Sequence, residues 1–361
     1  MPEAINIIEP TLTTEAGHCY SFISALCKAG DGSMALRLWV GRNAGVRLTG
    51  KNLQIRNYFF RKIRRLQSYF LYRKLLAMPG KLFIATAGRT DLLLVDWASK
   101  GMAPPEKVYL YFHWFNANEQ KLAHLREIAR KQPNLEILGP TPSVVKPFQD
   151  AGFSRAHVVP YPMSKQDVNF QAGPDKFRHL LYAGAARQDK GFSHVVGLIA
   201  HLRERGLQIP VMLQTSPEHY GKYDATTRAD IQRLRGLAYP HLQLSPDTLN
   251  TSEYTRLFAG AICLQLYDPS DFSDRVSGVT LDAFSAGCPI VATSGTWIAR
   301  MVQRFDAGVI ADDMSPPQVL SAVQRVIAGY GRYSEQARAA GKILQEENSA
   351  ETLFRVLATK K

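Results

Sequence analysis

Short apolar runs alternate with helix-patterned segments along the whole chain, and the alternation breaks once, at Pro160-Tyr161-Pro162. Parallel strands need a crossover between them, and a helix supplies it. The pattern therefore predicts an α/β protein with an open parallel sheet on each side of the break. Before it, strands are expected at 4–8, 35–40, 81–87, 107–114, 135–138 and 157–159, with helices at 19–29, 51–81, 90–100, 118–131 and 143–151. After it, strands are expected at 179–183, 210–214, 242–244, 261–266, 289–292 and 308–310, with helices at 192–205, 227–238, 251–258, 279–286, 316–328 and 334–358. The polar stretch 163–176 reads as a linker. With 361 residues, two domains of ordinary size are expected.

No uncharged apolar run approaches the roughly 18 residues a spanning helix needs. The first residues lack a basic head followed by an apolar run, so no secretory signal is expected. Cys19, Cys27, Cys263 and Cys288 form no CxxC pair. They suit a reducing compartment better than a disulfide framework or a zinc site.

The net charge is +13, unevenly spread. Residues 1–162 hold 22 basic and 11 acidic side chains, against 22 and 20 in the remainder. Between Gly32 and Thr90 there are 13 basic residues and no acidic one. In 51–81, Arg56, Arg61, Lys62, Arg64, Arg65, Arg73 and Lys74 interleave with Ile55, Phe59, Ile63, Leu66, Phe70 and Leu71 at three- and four-residue steps. That spacing predicts a basic amphipathic helix ended by Pro79-Gly80, of a kind suited to an anionic membrane surface. A solvated helix packing its apolar stripe on its own domain fits the same pattern. A nucleic-acid patch has no accompanying RNP, KH or zinc-finger signature, so no nucleic-acid partner is expected.

Two segments of the second half carry chemistry. In 182–192, a strand runs into a small-residue turn at Gly184, then Arg187 and Lys190, then a helix. Arg187 and Lys190 suit phosphate oxygens, and Gly184 lets backbone approach a ligand. In 274–293, Ser277 and Gly278 open a helix, whose N-terminus favours an anion. Asp282 follows one turn on, placed to accept ribose hydroxyls, and Asp274 stands eight residues before it. Taken singly, each segment also reads as an ordinary β–α loop, a serine cap and surface charges.

Together, Gly184 to Lys190-Gly191-Phe192, and Asp274 with Asp282 followed by Ala283-Phe-Ser-Ala-Gly-Cys-Pro-Ile-Val-Ala-Thr293, resemble the C-terminal domain of GT-B glycosyltransferases, in particular glycosyltransferase family 4. The resemblance covers roughly 179–330 and is weak over 1–162. The chain departs from the family pattern in three ways: Ala185 stands where the family has Arg, both family Glu positions are Asp274 and Asp282, and the segment between them reads Arg-Val-Ser-Gly.

The resemblance implies two Rossmann-like doubly wound sheets facing a cleft. It implies an acceptor- or membrane-facing domain over 1–162, a nucleotide-sugar domain over 163–335, and a C-terminal helix over 336–361 crossing back to the first domain. It implies transfer of a hexose from a nucleotide-diphosphate sugar, with retention and without a metal. On that basis Gly17, Gly184, Arg187, Lys190, Ser216, Ser277, Gly278 and Asp282 would bind the donor. His113 and Asp274 would lie at the reacting centre, and His18 and Glu15 would meet the acceptor, a lipid-linked or envelope polysaccharide. The enzyme would work in the cytoplasm, peripherally at the inner face of the cell membrane. A sugar-nucleotide epimerase on the same fold and a non-catalytic membrane- or acidic-polymer-binding module are the alternatives.

Overall fold

The structure is a computed structural model that describes residues 4–15, 17–164, 176–215, 223–247 and 249–359. The chain divides into two compact units, Met1–Lys165 with Glu347–Lys361, and Gln166–Glu346.

In the first unit the strands are β1 (Ala4–Ile8), β2 (Ala35–Gly41), β3 (Leu53–Phe59), β4 (Lys81–Ile84), β5 (Val108–Tyr111), β6 (Glu136–Gly139) and β7 (Ala156–Val158). The helices between them are α1 (His18–Ala29), α2 (Arg64–Leu76), α3 (Arg89–Ser99), α4 (Glu119–Lys131) and α5 (Pro142–Asp150). All seven strands pair in parallel, in the order β3-β2-β1-β4-β5-β6-β7. β1, β4, β5 and β6 are buried at every residue. Helices cover both faces of such a sheet, so its central strands read as continuous apolar runs rather than alternating ones.

The basic segment corrects the sequence-based expectation. It is not one helix: Leu53–Phe59 is an edge strand beside β2, a turn follows, and only Arg64–Leu76 is helical. Arg56 thus stands on a strand, and Arg61 and Lys62 stand in the turn. A four-residue apolar step satisfies a strand's period of two as well as a helical turn, so Ile55 and Phe59 fit both. Backbone pairing along β2 decides between them. The charged Arg56 on this edge also discourages pairing with another chain.

The second unit begins with β8 (His179–Ala183), a single 3-10 turn (Gln188–Lys190), α6 (Phe192–Glu204), β9 (Val211–Gln214), α7 (Ala225–Gly236), β10 (Leu242–Ser245) and α8 (Thr251–Arg256). It continues through β11 (Ala261–Gln265), α9 (Pro269–Phe272), α10 (Gly278–Ser285), β12 (Ile290–Thr293), α11 (Trp297–Phe305), β13 (Gly308–Ala311), α12 (Pro316–Ala328) and α13 (Tyr330–Glu347). Its six strands are parallel in the order β10-β9-β8-β11-β12-β13. The pattern had not marked α11, which Thr296 caps by accepting from Ala299 N–H at 3.0 Å.

The single helix expected at 334–358 is two. α13 ends at Glu347, and α14 (Ala350–Ala358) starts after the break. At that break Met163 N–H donates to Asn348 O at 2.7 Å, a tertiary bond with no local sequence signal. α14 belongs to the first unit and packs on α1. Lys81, buried in β4, donates from Nζ to Thr359 O at 2.7 Å and to the Tyr109 hydroxyl at 3.2 Å.

Candidate functional site

In the second unit the predicted donor residues gather past the carboxyl ends of β8, β9 and β11, where open α/β sheets hold ligands. β8 ends at Ala183, and Gly184 follows with φ 111°. Gly184 N–H donates to Gln214 Oε1, at the end of β9, at 2.8 Å. A Cβ on Gly184 would stand 3.3 Å from Lys190 Nζ, so the ammonium lies close against the bare glycine backbone. Gly191, with φ 70°, closes this turn against β11: a Cβ there would lie 1.8 Å from Leu266 O.

Lys190 Nζ also lies 5.6 Å from the centre of the Tyr267 ring, a cation–π contact. Burial pushes its pKa down to about 8, and the nearby Arg187 and Arg275 act in the same direction. Arg187 is exposed and pairs with the Asp189 carboxylate, which offsets part of its charge. Arg275 is a cation that the sequence pattern did not single out. Its guanidinium lies over the Phe272 ring at 4.8 Å, and burial and Arg187 lower its pKa. Three cations near enough to act on one another, two of them partly buried, favour a polyanionic ligand.

Ser277 caps α10, its buried Oγ accepting from Thr280 N–H at 3.4 Å. Gly278 then opens the helix, with no atom within 4 Å of where its Cβ would stand. Asp282 lies on the same helix, and the Tyr254 hydroxyl donates to its Oδ2 at 3.2 Å. Burial pushes the Asp282 carboxyl up to about 6, against the lowering effect of that hydrogen bond. Tyr254 is a second residue missed in the sequence, since α8 carries no motif. Asp274 is half-buried and pairs with the Arg300 guanidinium, which also donates to Ser273 O at 2.7 Å. Ser216 lies outside the described residues.

In the first unit, Gly17, His18, Glu15 and His113 sit at the carboxyl edge of the other sheet. Gly17 precedes α1 with φ 84°, a conformation open to glycine, and a Cβ there would meet nothing. Glu15 accepts from Arg47 N–H at 2.8 Å and so ties its loop to the segment after β2. His113 lies two residues past β5, its Nε2 2.9 Å from Ala85 O. Phe22, Tyr111, Tyr161 and His18 surround it, with ring centres 4.9, 5.2, 5.7 and 5.8 Å away. His18 Nε2 lies 3.4 Å from Cys19 Sγ. The buried Glu9 stands beside this group and had no sequence signal beyond its place at a strand end.

The basic segment presents a mixed surface. Phe60, Ile63, Leu66 and Phe70 are 51%, 49%, 58% and 57% exposed, whereas Phe59 and Leu71 are buried in the core. Arg61, Lys62, Arg65, Arg73 and Lys74 are exposed among them, and Arg64 is half-buried. Arg42 lies over the Phe60 ring at 5.7 Å. Arg64 and Arg65 stand in the first turn of α2, which has no acidic residue. The positive end of a helix dipole makes that an unfavourable place for cations in water.

Among the described residues there is no group of three or more His, Cys, Asp or Glu side chains arranged for a metal. No helix among them is long and apolar enough to cross a membrane.

No protein-family model matches the chain, and no curated protein matches it. Solved structures do. Anabaena Alr3699/HepE, solved in complex with UDP and glucose, is 12% identical with a TM-score of 0.68, covering 99% of this chain and 98% of its own. An E. coli trehalose-6-phosphate protein bound with UDP-2-fluoro glucose is 11% identical with a TM-score of 0.71, covering 99% of this chain and 100% of its own. WaaG, a glycosyltransferase involved in lipopolysaccharide biosynthesis, is 13% identical with a TM-score of 0.69, covering 99% and 100%. At such identities the likeness concerns the fold, and the fold is GT-B: two all-parallel sheets with alternating helices.

Proposed function

We propose that this protein is a glycosyltransferase that moves a hexose from a nucleotide-diphosphate sugar to an acceptor hydroxyl. The observation that carries this reading is the cluster in the second unit: Lys190 over Gly184, with Arg187, Arg275 and the start of α10 at the same strand ends. These groups suit a diphosphate, and Asp282, oriented by Tyr254, suits the ribose hydroxyls. Similar structures were solved with UDP, glucose and a UDP-sugar analogue, which supports a uridine nucleotide as the first donor to try.

On this reading the bond from the sugar C1 to the diphosphate oxygen breaks and its electron pair leaves on that oxygen. The acceptor oxygen bonds to C1 with retention of configuration, and its proton leaves with the departing diphosphate. Lys190, Arg187 and Arg275 offset the charge that develops on the leaving group, the work a metal ion does elsewhere. Asp274, held by Arg300, is the carboxylate that the second unit would offer the sugar on this reading.

The acceptor, on the same reading, is lipid-linked or a growing envelope polysaccharide, met at the cytoplasmic face of the membrane. The exposed Phe60, Ile63, Leu66 and Phe70 among cations support this, because an anionic surface offsets the charge at the start of α2 and takes up the apolar side chains.

Thermal unfolding with UDP, GDP, ADP and their sugars tests the proposal. A ligand at 100 times its Kd adds about 2.7 kcal/mol. The expected result is stabilisation by one nucleotide family, lost in Lys190→Ala and Asp282→Ala. No stabilisation by any nucleotide overturns the enzyme reading and favours a binding module.

A further inference from the structure

Three adjacent strands of the first unit end together, and a carboxylate, a hydroxyl and an imidazole stand on those ends. Glu9 directly follows β1, Thr86 lies two residues past β4, and His113 two past β5. Glu9 is 1% exposed. Its Oε1 accepts from Thr11 N–H at 3.2 Å and from the Thr11 hydroxyl at 2.5 Å, and its Oε2 accepts from the Thr86 hydroxyl. Three donors converging on one carboxyl are the bonding pattern of the ionised form. Burial pushes its pKa upward, against the lowering effect of these hydrogen bonds.

The Thr86 hydroxyl gives its hydrogen to Glu9, so its oxygen meets His113 as an acceptor, 3.5 Å from Nε2. Nε2 also lies 2.9 Å from the Ala85 carbonyl, which can only accept. The hydrogen of the neutral ring is therefore on Nε2, and Nδ1 is its accepting nitrogen.

We propose that Glu9 is a positioning residue for His113: through Thr86 it supports the Nε2–H tautomer and offsets the positive charge that gathers on the ring when Nδ1 accepts a hydrogen bond from a sugar hydroxyl. What His113 touches rests on the sugar-transfer reading; the link from Glu9 through Thr86 does not. The other titratable groups around this link are His18 and Cys19 of α1, Tyr111 of β5 and Tyr161, with Asp91 of α3 and Tyr72 of α2 acting on Glu9.

Ring-nitrogen NMR on the full chain labelled at histidine, with no substrate present, reads the link directly. Glu9→Gln keeps the shape and removes the charge, Thr86→Val removes the hydroxyl, and Thr86→Ser restores it. Wild type and Thr86→Ser are expected to show the Nε2–H tautomer at His113. Its ring resonances should shift at lower pH in Glu9→Gln and Thr86→Val than in wild type. Hydrolysis of UDP-glucose, the probe donor, is expected to lose about tenfold or more in kcat in both variants, with KM within about twofold. Unchanged ring behaviour in both variants overturns the proposal. So does a lowered Tm with an unchanged ring, which makes Glu9 a packing residue only. The expected ring shifts together with no stabilisation or turnover by any nucleotide sugar uphold the link and remove the sugar-transfer reading instead.

Discussion

Lys190 Nζ stands 3.3 Å from the position a Cβ on Gly184 would take, so any side chain there presses on the ammonium and shifts it slightly. Gly184 also holds φ at 111°, which strains any other residue. Gly184→Ala is therefore expected to lower stability by about 1–3 kcal/mol. It should also weaken nucleotide-sugar binding by displacing the ammonium. Urea unfolding and calorimetric titration with UDP read the two effects; unchanged values for both would contradict the placement of Lys190.

Nucleotide affinity should depend on pH from both sides. Lys190, lowered to about 8 by burial, loses its charge above that pH, and Asp282, raised to about 6 by burial, is protonated below it. A diphosphate needs the cation, and two ribose hydroxyls need the ionised carboxylate. Affinity for UDP is expected to be greatest between these values. Lys190→Met should flatten the alkaline side and Asp282→Asn the acidic side, as measured by calorimetry across the range.

Asp282 also bears on stability. Folding raises its pKa, so the protonated form is favoured in the fold. Its contribution is full below the unfolded value of about 4 and is lost as pH rises through about 6. Asp282→Asn should therefore gain stability relative to wild type as pH rises across that window. Denaturant unfolding at several pH values checks the sign, and a loss relative to wild type over the same window would refute it.

The basic edge of the first unit should bind vesicles in two separable ways. Reversing Arg61, Lys62 and Arg65 to Glu is expected to abolish sedimentation with anionic vesicles at low salt. Replacing Phe60, Leu66 and Phe70 by Ser should leave weak, salt-sensitive binding. Because these side chains are exposed, both variants should keep the wild-type Tm within a few degrees. Equal binding of neutral and anionic vesicles would count against the charge argument, and binding of RNA in preference to either would redirect it to nucleic acid.

Arg275 stands on the same footing as the predicted cations, although no motif marks it. Arg275→Ala is expected to cost UDP affinity about as much as Arg187→Ala, since both guanidiniums act on Lys190 at the same strand ends. Removal of the base and ribose from the ligand, leaving pyrophosphate, should preserve that loss in calorimetry.

The sequence alone determined the two parallel sheets, because a parallel sheet covered on both faces requires apolar runs such as Ala4–Ile8 and Val108–Tyr111 separated by helical patterns. It also marked Gly184, Lys190, Ser277 and Asp282, whose placement follows from short spacings across one turn or one helix start. It did not distinguish a strand from a helix at Leu53–Phe59, where a four-residue apolar step satisfies both periods and pairing with β2 decided. The break between α13 and α14 also went unread, although Ser349 stands as the N-cap of α14; a bond from Met163 N–H to Asn348 O holds it in the fold. Arg275 beside Lys190, Tyr254 on Asp282, and Glu9 reaching His113 through Thr86 were likewise decided only by tertiary structure. These contacts join residues that are apart in sequence and meet only in the folded chain, where burial and hydrogen bonding determine a side chain's charge and direction.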